Sequence, residues 1–305
     1  MIVFAASDKG GTGRSVTTAN LAYRRALAGD DVCYLDFDFG SPTAAAVFEV
    51  SSALRGIEKG GLHSYFQGRS SEPARLDVWA GTEHPELRPR PTGSGRLVLL
   101  PGDRGGGEFS LDRDAPHRCV DLFLRLNNEF DVIMVDLSAG RSFAMDLVLE
   151  ATSRRELSGL VVRWLVYHRW TRQHVIAAAG LAFGDRGIVA GGTAHGHTED
   201  ELRGAIRFVR AAVPDLDSPQ WSHVTPAQSA WMRERGQLLD ELAAQCEVGF
   251  SRVLGRIPLE PVLQWREQLI TDEDVLGSGI VTMETHRALE DLAGKLSDDD
   301  AWGQP

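Results

Sequence analysis

The sequence predicts an α/β protein: a doubly wound, mainly parallel sheet carrying a helical insertion. Three observations predict it. Short, buried-type strands alternate with amphipathic helical segments along most of the 305 residues. A glycine-rich loop, Asp8 to Ser15, joins the first strand to the first helix. Two later apolar strands end on aspartates, Asp36 and Asp136, at the sheet edge where α/β proteins bind ligands.

The elements follow in order. Ile2 to Ala6 is a short apolar strand, and Val16 to Leu27 has helical apolar spacing with Gly29 as terminator. Val32 to Leu35 is a second buried strand. A short amphipathic segment runs from Leu62 to Phe66, a strand from Leu76 to Ala80, and a proline-bearing loop from Thr82 to Gly95. Arg96 to Leu100 reads as strand, Cys119 to Asn127 as helix, and Asp131 to Leu137 as the most strand-like segment of all. Leu160 to Tyr167 is a strand, followed by a helix over Gln173 to Leu181. From Gly184 the pattern changes: a glycine-rich loop to His197, helical spacing at Leu202, Ile206 and Val209, breaks at Pro214 and Pro219, and a helix from Pro226 to Ala244. Val253 to Ile257 resumes as strand and Leu263 to Leu269 as helix. The expected organisation is a core over 1–183, a helical insertion over 184–246, a return to the core over 247–296 and a loose acidic tail over 297–305.

Composition sets bounds. Net charge is −11, from 32 basic and 43 acidic residues, which counts against nucleic acid as a partner without removing a local basic patch. No run of 18 apolar residues occurs, so no stable membrane insertion is expected. The N-terminus lacks the basic and cleavage regions of a signal peptide, and a cytoplasmic location is expected. Three scattered cysteines, Cys33, Cys119 and Cys246, do not make a disulfide framework or an iron–sulfur site.

The chemistry lies in Lys9-Gly10-Gly11-Thr12-Gly13-Arg14-Ser15, followed by Val16. Glycines let successive N–H groups converge on a phosphate, and the following helix adds positive potential from its N-terminus. With Leu35 to Gly40, Val135 to Gly140, and Leu254 to Pro258 plus Pro261, this loop resembles the ParA/MinD family of deviant Walker A P-loop ATPases over about 1–50, 76–180 and 248–275. The resemblance implies a P-loop (ParA/MinD-like) fold that binds ATP and Mg²⁺ and forms a homodimer on ATP binding. It implies that Gly10, Gly11, Thr12, Gly13, Arg14, Ser15 and Val16 hold the nucleotide, with Pro258 and Pro261 on the base side. Ser15 would bind Mg²⁺ directly, and Asp36 and Asp136 would hold it through waters. Lys9 would reach the partner's phosphates across the dimer, and Asp38 would orient the attacking water.

The departure is Arg14, where the family has lysine. Guanidinium is planar and forked, so this is not a neutral exchange. Binding is expected to survive, whereas ATPase activity is left open. Lysine occurs only at 9, 59 and 295 among the 32 basic residues, which makes Lys9 noteworthy. Tyr167 to His174 forms an aromatic, basic cluster suited to a partner surface or a nucleotide contact. His195 and His197 are weak metal-ligand candidates. The expected function is a slowly hydrolysing ATP switch that positions or recruits an unidentified protein partner. A scaffold with a degenerate nucleotide site and a ParA-type DNA-partitioning ATPase are the alternatives.

Overall fold

The computed structural model describes residues 1–107, 109, 113–216, 218 and 221–303. Eight strands form one sheet: β1 (Ile2–Ala6), β2 (Val32–Phe37), β3 (Leu76–Asp77), β4 (Leu97–Leu100), β5 (Val132–Leu137), β6 (Val162–Arg169), β7 (Ile206–Val213) and β8 (Val253–Pro258). Their order is β3-β4-β2-β5-β1-β6-β7-β8, parallel throughout except for the antiparallel β3–β4 pair. Order reverses around β1, so the loop after β1 opens at a switch point of the sheet, where ligand crevices form.

The sheet is covered on both faces, which explains why β1, β2 and β5 are buried along their whole length. Side chains alternate between the faces. Phe4, Cys33, Leu35 and Ile133 pack under the helices Ala115–Asn127, Phe143–Thr152 and Arg172–Phe183. Val3, Ala5, Tyr34 and Met134 pack under α1 (Arg14–Leu27) and the helix Met283–Lys295. Trp164 packs against Phe4 at a tilt, with ring centroids 4.7 Å apart. Full burial of such side chains contributes about 1.5–3 kcal/mol each.

Several expectations need correction. Ile206–Val213 is a strand of the main sheet, paired with both β6 and β8, so 184–246 is not a purely helical insertion. The misreading has a physical cause. Arg207 and Arg210 are almost fully buried within β7 and look like a solvated helix face in the sequence. Arg207 donates to the carbonyls of Gly204 and Ile206 and lies against the Trp302 ring. Ile188–His195, expected as loop, is helical. Strand β3 stops at Asp77 because that residue caps a short helix, Val78–Gly81, by accepting from the Ala80 N–H. The helix expected over Leu263 to Leu269 is limited to Val262–Trp265.

The C-terminal segment is anchored up to the last described residue. Arg163 pairs with Asp299 at 2.6 Å, and the Trp302 indole donates to the Lys295 carbonyl. Residues 304 and 305 lie outside the described part. Upstream acids are also engaged: Asp272 pairs with the buried Arg24 at 3.0 Å. Arg172–His195 has the length and apolarity to cross a bilayer. Here it is two helices, with Val175, Ala178, Leu181, Ile188 and Val189 buried in the core.

Candidate nucleotide-binding site

Loop Ser7 to Gly13 leaves the carboxyl end of β1 and runs directly into α1. Gly11 and Gly13 take φ of +71° and +75°, and a Cβ would meet no backbone at either. Glycine is required there for its left-handed backbone, which turns the chain so that α1 begins at the loop. No acidic side chain occupies the first turn of α1, so its N-terminal potential is available to an anion.

Two cavities flank this loop. One, of about 430 Å³, is lined by Gly10 to Val16 with Asp38, Thr43 and Glu267. The other, of about 270 Å³, is lined by Gly11 to Gly13, Val16, Arg169, Pro258, Glu260 and Glu267. They share the loop, and together they form a trough from the phosphate-type turn to the end of β8. Pro261 lines neither cavity. Lys9 is exposed and also lines neither.

Arg14, by contrast, is only 6% exposed. Its Nε donates to Asp136 Oδ1 at 2.5 Å, its Nη1 to Ser7 Oγ at 3.3 Å, and its Nη2 to Asp38 Oδ2 at 3.1 Å and Ser15 Oγ at 3.4 Å. Burial opposes the charge, yet Asp136 and Asp38 outweigh it and hold the Arg14 pKa above its usual value. The other oxygen of Asp136 accepts from the Tyr34 hydroxyl at 3.0 Å. Asp36 sits beside Asp136 in the β2–β5 register. Its carboxylate accepts from the backbone N–H groups of Ala44 and Asp38. Burial, and then the neighbouring Asp136, push its pKa well above the usual carboxylate range.

Over 97% of its length the chain superposes on 94% of a chain of the MinC:MinD cell division complex of Aquifex aeolicus, with TM-score 0.60 and 16% identity. It matches a putative plasmid partition protein of Borrelia burgdorferi B31 bound to AMPPNP over 98% of both chains, with TM-score 0.60 and 13% identity. The fold is that of the MinD and ParA-type ATPases. A third neighbour, MinD of Pyrococcus horikoshii OT3 complexed with Mg-ADP, matches over 98% of this chain and 96% of its own, with TM-score 0.54 and 16% identity. No protein-family model and no curated protein matches the sequence.

In this arrangement the residues expected at Mg²⁺ already have partners within the chain. Ser15 and Asp136 stand together at the loop, but both are bound by Arg14, and Asp36 is turned to backbone amides. Among the described residues no three His, Cys, Asp or Glu side chains are grouped to hold a metal. His195 pairs with Asp146, while His197 contacts Thr152 and the Leu149 carbonyl, each against the helix Phe143–Thr152.

Sequence reasoning missed Ser7, Tyr34 and Glu267. Tyr34 carried a signal: it lies two residues before Asp36, on the same face of β2. Glu267 carried none, because its place depends on how the chain returns after β8. The Tyr167–His174 cluster divides. Tyr167 accepts from the Thr18 hydroxyl at 3.1 Å, and Arg169 lines the trough. Trp170 lies under the Arg210 guanidinium, 3.7 Å from the ring centroid. With Trp231 it lines a separate cavity of about 570 Å³ edged by Arg172, Arg235 and Arg256.

His168 is 1% exposed, its Nε2 has no hydrogen-bond partner among the described residues, and burial lowers its pKa to about 4. The native state therefore keeps this ring neutral, whereas the unfolded chain protonates it near 6.5. Protonation of the unfolded state below 6.5 favours unfolding, so stability falls between about pH 6.5 and 4 and levels off below. The cost is up to about 3 kcal/mol. His168→Leu will flatten this part of the pH–stability curve in urea titrations. A wild-type curve already flat over that window would disprove the assignment.

Proposed function

We propose that this chain binds an adenine nucleotide, dimerises on ATP and acts as a slow switch of ParA/MinD type that recruits a protein partner. The observation that carries the reading is the trough: glycine loop, helix N-terminus and β8 end lie in one line, with room on both sides of the loop. The loop supplies backbone donors for phosphates and Arg14 supplies charge on the same wall. Slow turnover follows from Asp38. It is the residue expected to orient water, but it is paired with Arg14 at 3.1 Å. Phosphoryl transfer depends on positioning and charge neutralisation, and both are compromised when that carboxylate is committed elsewhere.

Self-association is supported by the exposed face beside the trough. Trp265 is 90% exposed, one residue beyond Gln264 of the trough wall. The Trp170–Trp231 cavity, rimmed by arginines, suits a partner with apolar and acidic side chains. The experiment is ATP binding by calorimetry, with light scattering and phosphate release on the same samples. Binding with dimer formation and slow release is expected. Absence of binding at millimolar ATP would leave the scaffold reading in its place.

A further inference from the structure

We propose that Arg14 is the resident cation of this site, and that nucleotide binds here without a divalent metal. The proposal rests on the nucleotide-binding reading above and deepens it. A metal at a P-loop joins protein oxygens on one side to phosphate oxygens on the other. Arg14 meets both halves of that description. Three nitrogens of one guanidinium reach two carboxylates and two hydroxyls, and the same side chain lines the cavity beside the glycine loop. A guanidinium has five N–H donors, so one hydrogen on Nη1 is left for a phosphate oxygen.

Arg14 and a metal exclude one another for two reasons. The first is ligands. The Ser15 hydroxyl, which would bind the ion directly, already accepts from Nη2 at 3.4 Å. Asp136 has one oxygen on Arg14 and the other on Tyr34. The second is charge. An ion on Ser15 would stand close to the guanidinium, to which Asp136 and one oxygen of Asp38 are already committed, so only the nucleotide's own phosphates would screen the two cations from each other. Arginine also cannot step aside by losing its proton. A lysine at position 14 would hold one point charge and leave the fork of contacts unmade.

The test uses the full chain and a fluorescent ADP analogue, followed by anisotropy in millimolar Mg²⁺ and in EDTA. Wild-type affinity is expected to agree within about twofold between the two buffers. Arg14→Lys is expected to bind at least about tenfold more weakly in EDTA than in Mg²⁺, since metal dependence returns with the compact ammonium. A wild-type loss of about tenfold or more in EDTA would overturn the proposal while leaving nucleotide binding intact. No wild-type binding in either buffer would overturn nucleotide binding itself, and this proposal with it. The wild-type arms decide the matter even if Arg14→Lys does not fold.

Discussion

Lys9→Ala will abolish ATP-dependent dimerisation while leaving the fold intact. The side chain is exposed at the loop tip and lines neither cavity of its own trough, so its removal empties no core and breaks no buried pair. Surface substitutions of that kind shift stability by about 0.5 kcal/mol or less. Its position suits action across an interface: it stands beside the phosphate-type turn and is exposed. A compact ammonium on a flexible stem fits that task, and this chain places lysine at only three of 32 basic positions. Light scattering with ATP should show wild-type dimer and variant monomer at equal concentration, with matching thermal melts. A variant that still dimerises with ATP would remove Lys9 from the interface and with it the sandwich form of the switch.

Where local pattern and tertiary role agree, the sequence was a sufficient guide. The β1–loop–α1 unit, β2 and β5 were legible because buried parallel strands are apolar throughout, and their polar residues fall at the ligand edge. Gly11 and Gly13 were legible for the same reason, since a turn of that shape requires their backbone. The sequence misled where burial and polarity part company. Strand β7 hides two arginines, one satisfied by backbone carbonyls and the other stacked on Trp170, so its alternation was masked. Leu202, Ile206 and Val209 then matched a helical period by coincidence, two of them lying in the strand and one in the helix before it. Of Arg14 itself, the sequence could say only that it was not lysine. That its fork closes on Asp38 and Asp136 depends on a register between β2 and β5, residues that are a hundred positions apart. Pairing across such a separation leaves no local trace.

That closure makes Asp136 the residue on which the site's stability depends most. Asp136→Asn is expected to destabilise the fold by about 3–5 kcal/mol, because removing one partner strands a buried charge. Asp136 is 1% exposed and Arg14 6%, so water cannot substitute for the lost carboxylate. Asp38 gives partial relief only, being more exposed and held through a single nitrogen of the fork. Tyr34 would lose the charged acceptor for its buried hydroxyl at the same time. Arg14→Met should also destabilise, since it leaves the buried Asp136 without its cation and beside the buried Asp36. Arg14→Met and Asp136→Leu together should cost less than the sum of Arg14→Met and Asp136→Leu made singly, because the pair departs as a unit. A coupling of about 0.5–3 kcal/mol is expected from urea unfolding of the cycle. Single-variant costs below about 0.5 kcal/mol would mean that the guanidinium finds solvent after all. The resident-cation proposal would then fail on its own geometry, before any nucleotide is added.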